Sequence, residues 1–167
     1  MNTIAPPRAT EPLRLEHREL LPDIDALGLA ADAVGTASEA QIRDVVAKAH
    51  DFLANHLVPH ATAEDAVLYP AVEEAMHAPG ATDTMRRDHV QAIRDTEALG
   101  RETEDTAPID AARRLRIQRL LYGLHAVVSL HFAKEEEIYL EVLDRSLTPD
   151  AAAALFEQME GVATTAR

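Results

Sequence analysis

The sequence contains no cysteine and no tryptophan among its 167 residues. Without thiols it can form no disulfide, build no zinc–thiolate site and run no thiol chemistry. Aromatic residues are scarce, at 4%, while alanine and leucine are plentiful, a composition that leans towards helix. Basic residues are few: 16 Lys and Arg stand against 29 Asp and Glu, for a formal charge of −13. That sign argues against nucleic acid or an anionic membrane as partner, since both are polyanions. It suits a protein that keeps cations, although most acidic residues do no more than solvate helix surfaces. No apolar stretch is long enough to span a bilayer, and the opening MNTIAPPRATEP lacks the apolar run of a signal peptide. A cytoplasmic location is the resulting expectation. Also missing are a Ser/His/Asp arrangement, a glycine-rich phosphate loop and a basic patch.

What is present is enough apolar residue, 47%, for one domain with a real core. Residues 1–10, with Pro6 and Pro7, read as a flexible arm. Four long segments follow at about 11–34, 38–76, 82–102 and 108–147, separated by GTAS, HAPGATD and GRETEDTAP. None shows the alternation of a strand. Pro149 opens a shorter segment in which Leu155, Phe156, Met159 and Val162 share a face. The expected fold is all-α: an antiparallel up-down four-helix bundle over 11–147, with an additional short C-terminal helix and tail over 148–167.

The fourth segment carries an apolar stripe: Ile117, Leu121, Leu124, Val128, His131, Glu135, Ile138, Val142, in steps of 4 and 3. That is the spacing of a core-facing seam. His131 and Glu135 occupy consecutive seam positions, where an ionised carboxylate costs several kcal/mol unless paired or bound to metal. The first segment repeats the intrusion: Leu13, His17, Leu20, Ile24 and Leu27 form a seam, with His17 where a leucine belongs.

Of the eight histidines, two have glutamate four residues on: His60 with Glu64, and His131 with Glu135. Their neighbourhoods correspond, HATAEDAVLYPAV against HFAKEEEIYLEVL. Upstream of each lies a lone histidine behind an acidic residue, His17 in EHREL and His89 in DHVQAI. The spacing is 43 in one half and 42 in the other, so the chain reads as two copies of one helical hairpin. The midpoints fall near positions 38 and 110, at breaks between segments. Each hairpin therefore sets its lone histidine opposite its His-Glu pair, roughly 30 Å from the turn at 1.5 Å per residue. Packing two hairpins gathers four histidines and two glutamates at one level. Residues i and i+4 share a helix face, so two such pairs suit two metal ions, with the glutamates able to bridge. Imidazole with carboxylate suits iron, and also manganese or zinc, and bundle cores house such dimetal sites.

On these residues, His17, His60, Glu64, His89, His131 and Glu135, the chain resembles the hemerythrin-like, or HHE cation-binding, domain over about residues 11–145. The resemblance implies a left-handed four-helix bundle holding a non-haem di-iron centre, with an oxo or hydroxo bridge expected between the ions. Family members bind dioxygen reversibly, sense iron or oxygen, or handle peroxide or nitric oxide. The chain departs from the oxygen carriers, which use a fifth histidine one turn beyond the lone histidine of the third helix. Here that place is Ile93, and one turn earlier is Met85. With about twelve positions around two six-coordinate ions, four histidines, two carboxylate bridges and a bridging oxygen leave about two open rather than one.

The expected function is binding of dioxygen or a related small oxidant at a di-iron centre, for oxygen binding, oxygen sensing or iron handling. Alternatives are an enzyme acting on hydrogen peroxide or nitric oxide, and a metal-sensing regulatory module. The expected state is a monomer or homodimer. His56, four residues before His60, is the best further ligand candidate, but Pro59 between them disturbs the helix, and a partly exposed histidine is the preferred reading. His125 is read as packing or a support to a ligand, and His50 and His77 as surface residues. Tyr69, Tyr122 and Tyr139 are read as core or interface packing.

Overall fold

The computed structural model describes residues 8–166, and among these are five helices and no strand. Helix α1 is Glu11–Val34. Helix α2 runs over 39–76, in α-helical pieces Glu39–Phe52, Val58–Ala63 and Tyr69–Met76 joined by π-turns Leu53–Leu57 and Glu64–Leu68. Helix α3 is Asp83–Glu104. Helix α4 runs over 111–146, with Ala111–Lys134 and Leu140–Ser146 joined by the π-turn Glu135–Tyr139. Helix α5 is Pro149–Thr165. Residues 1–7 of the expected arm lie outside the described residues. Thr10 is buried, and both its backbone N–H and its hydroxyl donate to Asp144 Oδ1, at 2.8 and 2.9 Å.

Local chemistry sets the helix ends. Ser38 and Gln41 form a reciprocal capping box at the start of α2. Asp110 accepts from the Arg113 N–H at the start of α4, and Thr148 caps α5 with Pro149 in its first turn. His77 ends α2 in the left-handed region, φ 52°. Short connections make consecutive helices antiparallel, and α1 packs against α2 and α4 while α3 packs against the same two. The result is the up-down-up-down bundle. No helix among the described residues is long and apolar enough to cross a membrane.

The core is divided. One apolar cluster, including Ile24, Ile42, Leu53, Leu99 and Leu121, fills the half nearer the α1–α2 and α3–α4 turns. A second, including Leu13, Leu68, Met85, Leu140 and Leu143, fills the other half. Helix α5 closes this second cluster with Leu155 and Met159, and Phe156 and Val162 pack partly buried beside them. The histidine and glutamate positions lie between the two clusters.

The π-turns correct one part of the expected seam. In α4 the stripe holds through Glu135, but Ile138 is 50% exposed and Val142 only partly buried, whereas Tyr139, Leu140 and Leu143 are buried. The Leu140 N–H bonds to the Glu135 carbonyl, five residues back rather than four. That inserts one extra residue into the turn, and every later core position moves one place along the chain. In α2, Val58 and Tyr69 make the same five-residue bonds, to Leu53 and Glu64. Pro59 and Pro70 each follow the residue that donates this bond. Each lacks the N–H that would continue an α-ladder, so the helix changes pitch there and continues.

This phase shift is measurable. Ile138→Ala should change unfolding free energy by no more than about 0.5 kcal/mol, while Leu143→Ala should cost about 2–5 kcal/mol, both read by urea denaturation. An uninterrupted α-helix would reverse that order.

Candidate metal centre

Between the two apolar clusters the bundle brings together all six of His17, His60, Glu64, His89, His131 and Glu135. Every one is buried, and both carboxylates have no solvent exposure at all. They form two groups close enough to hold an ion each: His17, His60, Glu64 and Glu135 in one, and Glu64, His89 and His131 in the other. Glu64 belongs to both. Its Oε1 lies 2.9 Å from His60 Nε2 and 3.7 Å from His17 Nε2, and its Oε2 lies 3.2 Å from His89 Nε2 and 3.8 Å from His131 Nε2. Glu135 is divided in the same way, with Oε2 3.6 Å from His17 Nε2 and Oε1 3.5 Å from His131 Nε2. Each carboxylate thus offers one oxygen to each histidine pair.

The outer nitrogen of every one of these histidines meets a further carboxylate. His17 Nδ1 lies 2.8 Å from Glu136, His60 Nδ1 3.0 Å from Glu16, His89 Nδ1 2.9 Å from Asp65, and His131 Nδ1 3.3 Å from Asp88. With the proton on Nδ1, each Nε2 lone pair faces the centre, the orientation that carboxylates impose on metal-binding histidines. These contacts also close a ring around the bundle: Glu16 ties α1 to α2, Asp65 ties α2 to α3, Asp88 ties α3 to α4, and Glu136 ties α4 to α1. Arg14, itself buried, donates to the Glu136 carbonyl and carboxylate and to Asp144, and so holds Glu136 towards His17.

The four outer carboxylates were not singled out from the sequence as functional, although their signal was present. Each is next in the chain to one of the six: Glu16 before His17, Asp88 before His89, Asp65 after Glu64, Glu136 after Glu135. Tyr69 is the second addition. Expected as packing, it is fully buried, and its hydroxyl donates to Glu135 Oε1 at 2.7 Å and lies 3.0 Å from His131 Nε2. The other histidines and tyrosines stand apart from the centre. His56 is exposed and stacks on Phe52 rather than entering the site. His125 sits away from it, 3.9 Å from Asp25. Tyr122 is partly exposed and donates to Asp32, while Tyr139 is buried and donates to the Ala81 carbonyl.

The carboxylates set the electrostatics of this layer. Burial by itself would disfavour the imidazolium forms, but the carboxylates outweigh it: His17, His60 and His89 are raised, and His131 is pushed up to about 10. Burial would likewise raise Glu64, yet the surrounding imidazoles hold it well below the usual carboxylate range. His17 Nε2, His60 Nε2, both oxygens of Glu64 and Glu135 Oε2 nonetheless make no well-aligned hydrogen bond, although charged partners lie as close as 2.9 Å. Five orphaned atoms in one buried layer are far from the usual satisfaction of buried polar groups.

These shifts give stability a definite pH dependence. A histidine raised from 6.5 to about 10, as His131 is, contributes stability that is fully present below 6.5 and lost as pH climbs through 10. Metal-free protein should therefore lose melting temperature progressively over that range, as followed by circular dichroism. A flat profile there would contradict the site's charge arrangement.

Comparison with protein-family models matches residues 8–161 to the hemerythrin HHE cation binding domain. Comparisons with curated proteins and with solved structures found no match. The family match takes in all of α1 to α4 and most of α5, and with them all six buried histidines and glutamates. With the matched stretch covering most of the chain, the protein belongs to the hemerythrin HHE cation-binding domain family.

Proposed function

We propose that the chain binds two iron ions in this layer, and that the loaded centre takes dioxygen or a related small oxidant, in oxygen binding, oxygen sensing or iron handling. The observation that carries the reading is the division of Glu64 and Glu135, each offering one oxygen to the side of His17 and His60 and the other to the side of His89 and His131. His17, His60, His89 and His131 would be terminal ligands, and Glu64 and Glu135 bridges. The orphaned nitrogens and oxygens support this, since they are the atoms a pair of ions would satisfy. Imidazole and carboxylate without thiolate are donors that suit iron, manganese or zinc.

Charge supports a pair of ions rather than one. Six acidic side chains, counting Glu16, Asp65, Asp88 and Glu136, surround four imidazoles. That acidic surplus favours two multivalent cations over one. The bound ions would supply electron exchange with the oxidant, while the bundle sets access and polarity. The residues provide the rest: Nδ1 partners hold the rings in place, and the apolar clusters on both sides keep out bulk water.

Access is small and apolar. A cavity of about 20 Å³ adjoins His60, Glu64, His89 and His131, walled by Ile93, Val128 and Phe132 among other apolar residues. That volume suits a group the size of one water molecule, and it excludes substrates of ordinary metabolite size. Ile93 fills the place of the oxygen carriers' fifth histidine, which favours a second reading at the same centre: turnover of hydrogen peroxide or nitric oxide. Sustained peroxide consumption by iron-loaded protein would select it.

Metal analysis of aerobically purified protein should find two irons per chain, with near-ultraviolet absorption of an oxo-bridged ferric pair. The double variant His60→Ala with His131→Ala should lose both irons, and retention of two would overturn the assignment. Asp88→Asn, which keeps the ligand His131 but weakens its partner, should lower iron affinity by about 10–100-fold in a chelator competition.

A further inference from the structure

We propose that Tyr69 is itself a ligand, coordinating through Oη the ion held by His89 and His131. The proposal rests on the dimetal reading above and adds the donor that Ile93 fails to provide. Its first support is distance. Donors bound side by side at about 2.1 Å around one octahedral ion lie about 3 Å apart. His89 Nε2 and His131 Nε2 are 2.9 Å apart, and Tyr69 Oη is 3.0 Å from the second and 3.4 Å from the first. Three donors from α2, α3 and α4 thus stand at about the spacing one ion would require, with Glu64 Oε2 3.2 Å from His89 Nε2 as a fourth neighbour.

The second support is the helix itself. Five residues along an α-helix place a side chain about 140° away, so Tyr69 would face away from Glu64. The π-turn Glu64–Leu68, with its Tyr69 N–H to Glu64 carbonyl bond, brings residue 69 to the angle of an ordinary i+4 neighbour, about 40°. The ring is then fixed by stacking on His89, centroids 5.4 Å apart, and by Arg86 over its face at 5.2 Å. The related π-turn in α4 has no such consequence, because Tyr139 sends its hydroxyl to the Ala81 carbonyl instead.

The third support is the geometry of access. The apolar cavity is walled by His60, Glu64, His89 and His131 but by neither Tyr69 nor Glu135. Tyrosine ligation from that side leaves the cavity side open to the exogenous molecule. Coordination exchanges the phenol O–H bond for an oxygen–metal bond, and the proton leaves to solvent. Without a cation, burial and the nearby carboxylates keep the phenol protonated well beyond its usual range, so in the metal-free protein it serves as donor to Glu135.

Resonance Raman and visible spectra of the ferric, iron-loaded protein test this. Wild type should show a visible phenolate-to-iron(III) band whose excitation enhances tyrosinate ring modes. Tyr69→Phe, which keeps the ring and its stacking, should lose the band while keeping two irons per chain, and Tyr139→Phe should retain it. Wild-type protein holding two irons without tyrosinate modes overturns the tyrosine ligand and leaves the dimetal reading standing. Wild-type protein that takes up no iron overturns both. The wild-type spectrum decides the matter even if Tyr69→Phe does not fold.

Discussion

Two carboxylates with no contact with water, Glu64 and Glu135, impose the condition that the rest of the molecule meets. An ionised carboxylate in an apolar interior is costly unless opposite charge lies against it. The bundle answers by placing four imidazoles around the pair and a further carboxylate behind each imidazole. The inner layer is dry, while the outer carboxylates are partly exposed, so only two of six negative charges bear the full desolvation cost. Several polar atoms of the inner layer are still left without a well-aligned hydrogen bond. A family of cation-binding domains is where such a design belongs.

The same layer organises the bundle. Each adjacent pair of helices in the ring is joined by an outer histidine–carboxylate contact, and the two apolar clusters lie on either side of the layer. Two hairpins of similar sequence meet there, so the contacts come in related pairs: Glu16 to His60 and Asp88 to His131 within the halves, Glu136 to His17 and Asp65 to His89 between them. Polar contacts that cross every helix interface fix the register of the helices against one another.

The π-turns are the departures from regular helix, and two of the three begin at the shared glutamates. Such bulges often mark functional sites, and here the physical consequence is specific. An inserted residue rotates the remainder of its helix, bringing Tyr69 against His89 and His131 in α2, and in α4 turning Ile138 outward while Tyr139 and Leu143 enter the core. The cost of the distorted ladder is offset by the burial it permits on both sides of the site.

The helices, their order, the hairpin repeat and the six central residues were legible in the sequence because each depends on short-range periodicity. A histidine at a leucine position in a 4-and-3 stripe marks itself, and two such stripes at equal spacing predict their own meeting. The outer carboxylates and Tyr69 were not legible in the same way. Glu136 reaches His17 from 119 residues away, and only the packing of α4 on α1 makes them neighbours. Tyr69 lies off the seam by α-helical counting, and only the five-residue hydrogen bond at Glu64 turns it inward. Regular helix geometry, being a property of consecutive residues, was determined by the sequence alone. The breaks in that geometry, and the contacts they allow across helices, were decided by the tertiary structure, where proline chemistry, core filling and buried charge are balanced together.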